Sequence, residues 1–192
     1  LVGSEMCIRD RTDCYRFKIL FWRKLMKKKV LSILVDNTSG VLSRISGLFS
    51  RRGYNIDSLT VGETENAEYS RMTVVVRGDD HILDQIEKQL AKLEDVRCVK
   101  ELKSGHSVCR ELVLITVGVE ASNRPEIIAI ADTFRGKIVD VGVDTMMIEL
   151  TGNQTKLNAF IKLLDGYEIK ELVRTGIAGL SRGAEVMLDD FD

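Results

Sequence analysis

One order of elements is written twice in this chain: strand, helix, strand, strand, helix, strand. Residues 30–35 form an apolar run of the right length for a buried strand. Val41, Leu42, Ile45, Leu48 and Phe49 follow on one face of a 3.6-period helix. Residues 54–62 and 70–77, rich in β-branched side chains, flank the polar turn 63–68 as a hairpin. Asp79 and Asp80 can cap a second helix whose buried face is Ile82, Leu83, Ile86, Leu90 and Leu93, and residues 96–102 close the unit.

The order then starts again. Residues 112–119 are a continuous run of β-branched residues and leucine. Ser122 or Asn123 can cap a helix with Pro125 in its first turn and Ile127, Ile128, Ala131 and Phe134 facing inward, ended by Gly136. Residues 137–143 and 145–150 pair about Asp144. Leu157, Phe160, Ile161 and Leu164 line a fourth helix stopped by Gly166, and residues 169–175 form the last strand. This pattern predicts an α+β protein of two tandem ferredoxin-like βαββαβ domains, each with two helices on one face of an antiparallel sheet. The expected boundaries are 26–103 and 109–192 about a linker at 104–108. A strand as apolar as 112–119 predicts that a partner covers the helix-free face, so both units read as oligomerising modules.

Composition removes several functions. The net charge of −1 gives no bulk attraction to nucleic acid or an anionic membrane, and no apolar run is long enough to span a bilayer. Cys7, Cys14, Cys98 and Cys109 form no C-x-x-C pair, which argues against zinc or redox chemistry and fits a reducing cytoplasm. His81 reads as a solvated or capping residue at a helix start, and His106 as an exposed linker residue. No nucleophile elbow, zinc helix, dinucleotide loop or phosphate loop is present. The glycine-rich stretch from Gly176 to Gly183 lacks the lysine–hydroxyl pair of a phosphate loop and reads as a flexible arm before the acidic tail Asp189, Asp190 and Asp192. Independent catalysis, and any metal or cofactor site in this chain, are not expected. Residues 1–25 carry no periodicity and read as a non-native or disordered leader ahead of a start at Met26.

Two binding roles stand open. The βαββαβ order is also that of RNA-recognition modules, which stack bases on aromatic side chains of the central strands. Here the corresponding strand, Ser70-Arg71-Met72-Thr73-Val74-Val75-Val76, has no interior aromatic. The other role lies at Asp36-Asn37-Thr38-Ser39-Gly40-Val41, a polar loop opening a short helix that Gly53 ends. Asn37, Thr38 and Ser39 can all cap that helix, and free N–H groups at its positive end suit a small carboxylate. Read alone, the same residues also serve as plain caps and a turn.

That loop, followed by Leu48-Phe49-Ser50-Arg51-Arg52-Gly53-Tyr54-Asn55-Ile56-Asp57-Ser58-Leu59, resembles the regulatory small subunits of acetolactate (acetohydroxyacid) synthase. Ser70-Arg71-Met72-Thr73, Phe134-Arg135-Gly136-Lys137-Ile138-Val139-Asp140-Val141 and Gly179-Leu180-Ser181-Arg182-Gly183 extend the resemblance over nearly all the chain beyond residue 25. It implies an N-terminal ACT domain, a fold that senses amino acids, and a second domain of related topology. It implies a homodimer that activates a separate catalytic subunit and confers inhibition by valine. Thiamine diphosphate, Mg²⁺ and FAD would sit on that catalytic partner, none on this chain. Carried over by motif, Asn37, Gly40 and Val41 of one protomer and Asn55 and Ile56 of the other would hold the effector.

Overall fold

The computed structural model describes residues 27–183. The expected leader and the acidic tail lie outside the described residues. Strand β1 (Lys27–Asp36), helix α1 (Val41–Arg52), β2 (Ile56–Glu63), β3 (Tyr69–Gly78), α2 (Asp80–Leu90) and β4 (Val96–Glu101) form the first unit. Strand β5 (Ser107–Gly118), α3 (Arg124–Thr133), β6 (Lys137–Val141), β7 (Thr145–Gly152), α4 (Gln154–Leu163) and β8 (Ile169–Arg174) repeat it, and β9 (Ala178–Ser181) follows. The sheets are antiparallel, ordered β2-β3-β1-β4 and β6-β7-β5-β8. The twofold βαββαβ architecture is therefore as the periodicity predicts.

Each core follows from strand alternation. Leu31, Ile33 and Val35 on β1 and Met72, Val74 and Val76 on β3 share one face, packed by Val41, Ile45, Leu48 and Phe49 of α1 and Leu83, Ile86 and Leu90 of α2. Phe49 also meets Tyr54 edge-on at 6.3 Å between ring centroids, fixing the exit of α1. The second core repeats the arrangement with Val113, Ile115 and Val117 against Ile127, Ala131, Leu157 and Phe160.

The caps differ from expectation in part. Asp79 caps α2 by accepting from the Ile82 N–H at 2.8 Å, as predicted. Asn153 caps α4 through the Lys156 N–H at 2.9 Å. Ser122 and Asn123 make no side-chain cap on α3; Asn123 accepts instead from the Glu120 N–H and tightens the preceding turn. At the end of α3 the left-handed residue is Arg135, φ 55°, rather than Gly136.

Two expectations are corrected where the units meet. The stretch after Gly176 is an ordered strand rather than a flexible arm: β9 pairs with Ser107–Arg110, the first third of β5. That third lies partly inside the expected linker. Ser32, Leu34, Thr73 and Val75 point away from the helices yet are buried. The segment that crosses over them comes from the same chain. Ile177, 6% exposed, donates its N–H to the Ser58 hydroxyl, and Thr60 donates to the Thr175 carbonyl. A methyl group at Gly176 would stand 2.7 Å from Ser58 Oγ, so only glycine allows the chain this close. The first sheet's helix-free face is thus covered internally. In the second sheet Val173 stays 51% exposed on that face.

Candidate functional site

The loop after β1 is anchored from three sides. Arg97 grips Asp36 through two bonds of 2.7 Å, and this bond and charge raise the guanidinium's pKa. Arg44 reaches Asp95 at 2.7 Å, tying α1 to the turn before β4. Asn37 donates to Glu63 Oε1 at 3.2 Å and the Ala67 carbonyl at 2.9 Å, and accepts from the Ser70 hydroxyl at 3.0 Å. Both amide protons of Asn37 are therefore used within the protomer. It holds the loop against the end of β2, with one Oδ1 lone pair left over.

None of Asn37, Thr38 and Ser39 caps α1. Gly40 is the N-cap, in the left-handed region at φ 89°, and no side chain bonds the first turn. The first bond within the helix runs from the Arg44 N–H to the Gly40 carbonyl, which leaves the N–H groups of Val41, Leu42 and Ser43 without helical acceptors. Val41 is 3% exposed and seals the apolar side of this corner. The result is an uncapped helix start with a positive dipole end and unspent donors. A Cβ at Gly40 would meet nothing within 4 Å, so a substitution there costs backbone strain rather than crowding.

Asn55 and Ile56 stand at the far end of the sheet. Asp36 pairs with Tyr69 while Ile56 pairs with Val76, seven residues along β3, a separation of about 24 Å. Asn55 donates to Asp57 at 3.1 Å and is exposed, and Ile56 packs against the first core. One protomer therefore does not bring Asn37, Gly40 and Val41 together with Asn55 and Ile56.

His81 and His106 are exposed, and among the described residues no three His, Cys, Asp or Glu side chains gather as metal ligands. The RNA reading loses its surface: the sheet face that would stack bases is the one crossed by Thr175 and Ile177. Sequence reasoning missed the charged junction of Lys28, Asp57, Arg77, Glu111 and Arg174. Its one visible signal was Glu111, a carboxylate opening an apolar strand, now 5% exposed and paired with Arg174.

Residues 31–98 match the family model described as the AHAS small subunit-like ACT domain, and residues 110–183 match that of the small subunit of acetolactate synthase. The chain is 48% identical over 159 residues to a probable acetolactate synthase small subunit of Methanothermobacter thermautotrophicus, covering 82% of this chain and 95% of that one. It is 45% identical over 161 residues to the acetolactate synthase isozyme 3 small subunit of Escherichia coli, covering 83% and 99%. The crystal structure of the Thermotoga maritima acetolactate synthase small subunit superposes with a TM-score of 0.76 at 41% identity, covering 82% and 99%. With its uncapped helix start in an ACT-type unit, and relatives matched over almost their full length, this chain belongs to the family of acetolactate synthase small subunits.

Proposed function

We propose that this chain regulates a catalytic acetolactate synthase subunit, raising its activity and making it sensitive to valine. The valine would lie between the ACT-type units, residues 26–103, of two identical chains. Its carboxylate would meet the N–H groups at Gly40 and Val41, and its branched side chain Ile56 of the partner. Thiamine diphosphate, Mg²⁺ and FAD belong, in this reading, to the catalytic subunit, and the complex works in the cytoplasm. No helix of the described residues is long and apolar enough to cross a membrane.

The observation that carries the reading is the position of β2. It is an edge strand, it begins at Ile56, and its last residue, Glu63, is bonded to Asn37. If two such edges pair antiparallel, the start of one lies opposite the end of the other. Asn55 and Ile56 of one chain then reach the Asn37–Val41 corner of its partner. The separation of about 24 Å within one protomer is what a site shared between two would require.

The test uses that sharing. Gly40→Asp and Asn55→Ala, each reconstituted alone with the catalytic subunit, should lose valine inhibition. A mixture of the two variants forms some dimers in which one site takes its loop from the Asn55→Ala chain and Asn55 from the Gly40→Asp chain. That site is intact, so mixing should restore part of the inhibition. Failure of the mixture to recover, with both variants dimeric, would sink the shared site.

A further inference from the structure

A crevice of about 580 Å³ opens where the two units meet, walled in part by Asp57, Ser58, Arg77, Glu111, Gln154 and Arg174. Its carboxylates are already matched. Asp57 holds the Arg77 Nε and the Asn55 amide, and Glu111 holds Arg174 through two bonds of 2.7 and 2.8 Å. Lys28 is exposed, pairs with Arg77 across β1 and β3, and is bonded to the neutral Oε1 of Gln154 in the crevice wall, with the charges of Asp57, Glu111 and Arg174 acting on it. Burial first, and Arg77 next, lower its pKa. Three cations thus stand against two carboxylates, and the surplus positive charge is Lys28.

The remaining donors converge on the same space. Arg77 spends only Nε on Asp57, so its terminal nitrogens are available to a ligand. Ser58 Oγ accepts from the Ile177 N–H, which leaves its hydroxyl proton to give. A crevice of this volume, at a junction between units, is of a size to take a small molecule.

We propose that this crevice binds a small oxyanion, a carboxylate or a phosphate, on the Lys28 ammonium with Arg77 and Ser58 as further donors. One negative charge balances the site. All three donors come from the first sheet, and Lys28 also bonds Gln154 of α4, so the anion would sit at the seam between the two units. Within one protomer the site lies on the helix-free side of β2, at the end of the sheet away from Gly40; it borders Asn55 and Ile56 but draws its donors from Lys28, Arg77 and Ser58, which the effector reading does not use.

Titration of the full-length chain with sodium acetate and with sodium phosphate, at constant ionic strength set by sodium chloride, tests this. Calorimetry and thermal unfolding give the readouts. Saturable millimolar binding of at least one anion, with a rise in unfolding temperature, is the expected result. Acetate alone saturating assigns a carboxylate ligand, phosphate alone a phosphate. Lys28→Met should weaken the binding about tenfold or more, the loss of one charge-assisted bond, while Lys28→Arg keeps it. Arg77→Gln should weaken it as well and serves if Lys28→Met folds poorly. Valine inhibition of the reconstituted Lys28→Met and Arg77→Gln variants is read separately, so failure of the valine reading and failure of this one are separable. Absence of saturation by either anion, or undiminished binding in both Lys28→Met and Arg77→Gln, overturns the proposal.

Discussion

The Ser58 hydroxyl accepts a hydrogen bond from the Ile177 N–H at 3.1 Å, joining residues 119 positions apart. The edge strand of the first sheet is thereby tied to the segment that leaves the last strand of the second. Ile177 is 6% exposed, buried by a face that the strand alternation had left open.

Truncating this side chain should loosen that cover. Ile177→Ala is expected to cost about 2–4 kcal/mol, the range for an aliphatic side chain removed from a packed site. Leu180→Ala, on the same segment but 57% exposed, should change stability by less than about 0.5 kcal/mol. Urea unfolding of both variants checks the pair; equal effects would mean that Ile177 does not seal the face.

Periodicity made the two units legible because Ile33, Met72, Ile45 and Leu83 each bury one side of an element, and a repeating apolar side is what a local pattern records. The cover over Leu34 and Val75 left no such trace. Gly176, Ile177 and Gly179 fold against residues 70 or more positions away, and a short glycine-rich strand reads locally as a loose tail. The Gly40 corner is legible as a helix start, but residue type alone points to Asn37–Ser39 for its cap, because those residue types usually cap. Asn37 is drawn off by Glu63, Ala67 and Ser70, a competition that only the tertiary fold decides.

The Glu111–Arg174 pair supports a second stability test. Glu111 is nearly sealed and Arg174 is 30% exposed, with Asn158 accepting its third bond at 3.2 Å. Glu111→Ala should cost about 2–3 kcal/mol, below the roughly 3–5 of a fully buried pair because water still reaches the guanidinium. The double variant Glu111→Met/Arg174→Met should recover much of this, since no stranded charge remains. Denaturant midpoints of the two variants decide; a double variant less stable than Glu111→Ala would refute the account.

Lys29 gives a pH-dependent contrast. Burial lowers its pKa, but bonds and charges from Glu87 and Glu101 outweigh that, and the net shift is upward. A group whose folded pKa is raised stabilises the fold below its unfolded value and loses that contribution as pH rises through the folded one. Lys29→Met, which leaves Asp84, Glu87 and Glu101 facing one another, should lose about 1 kcal/mol near pH 7. The gap between variant and wild type should narrow as pH climbs past about 10.4, the ordinary lysine value. Urea unfolding at several pH values follows it, and a gap that widens in alkali would contradict the sign.

The remaining prediction separates charge from strain at Gly40. At φ 89° any side chain costs backbone energy, about 1–2 kcal/mol for most residues and less for asparagine and aspartate. Gly40→Asn and Gly40→Asp therefore carry nearly the same shape and strain. Both can bond the free N–H groups of the first turn, and the aspartate gains a further 0.3–1 kcal/mol, roughly, from the helix dipole. The aspartate variant should accordingly be no less stable than the asparagine one. An effector carboxylate can displace a neutral amide from those donors, but an aspartate both occupies them and repels the ligand. The valine concentration for half-inhibition of the reconstituted enzyme should thus be at least about tenfold higher for Gly40→Asp than for Gly40→Asn, a difference of about 1.4 kcal/mol. Equal sensitivity in two folded variants would place the effector's carboxylate away from this helix start.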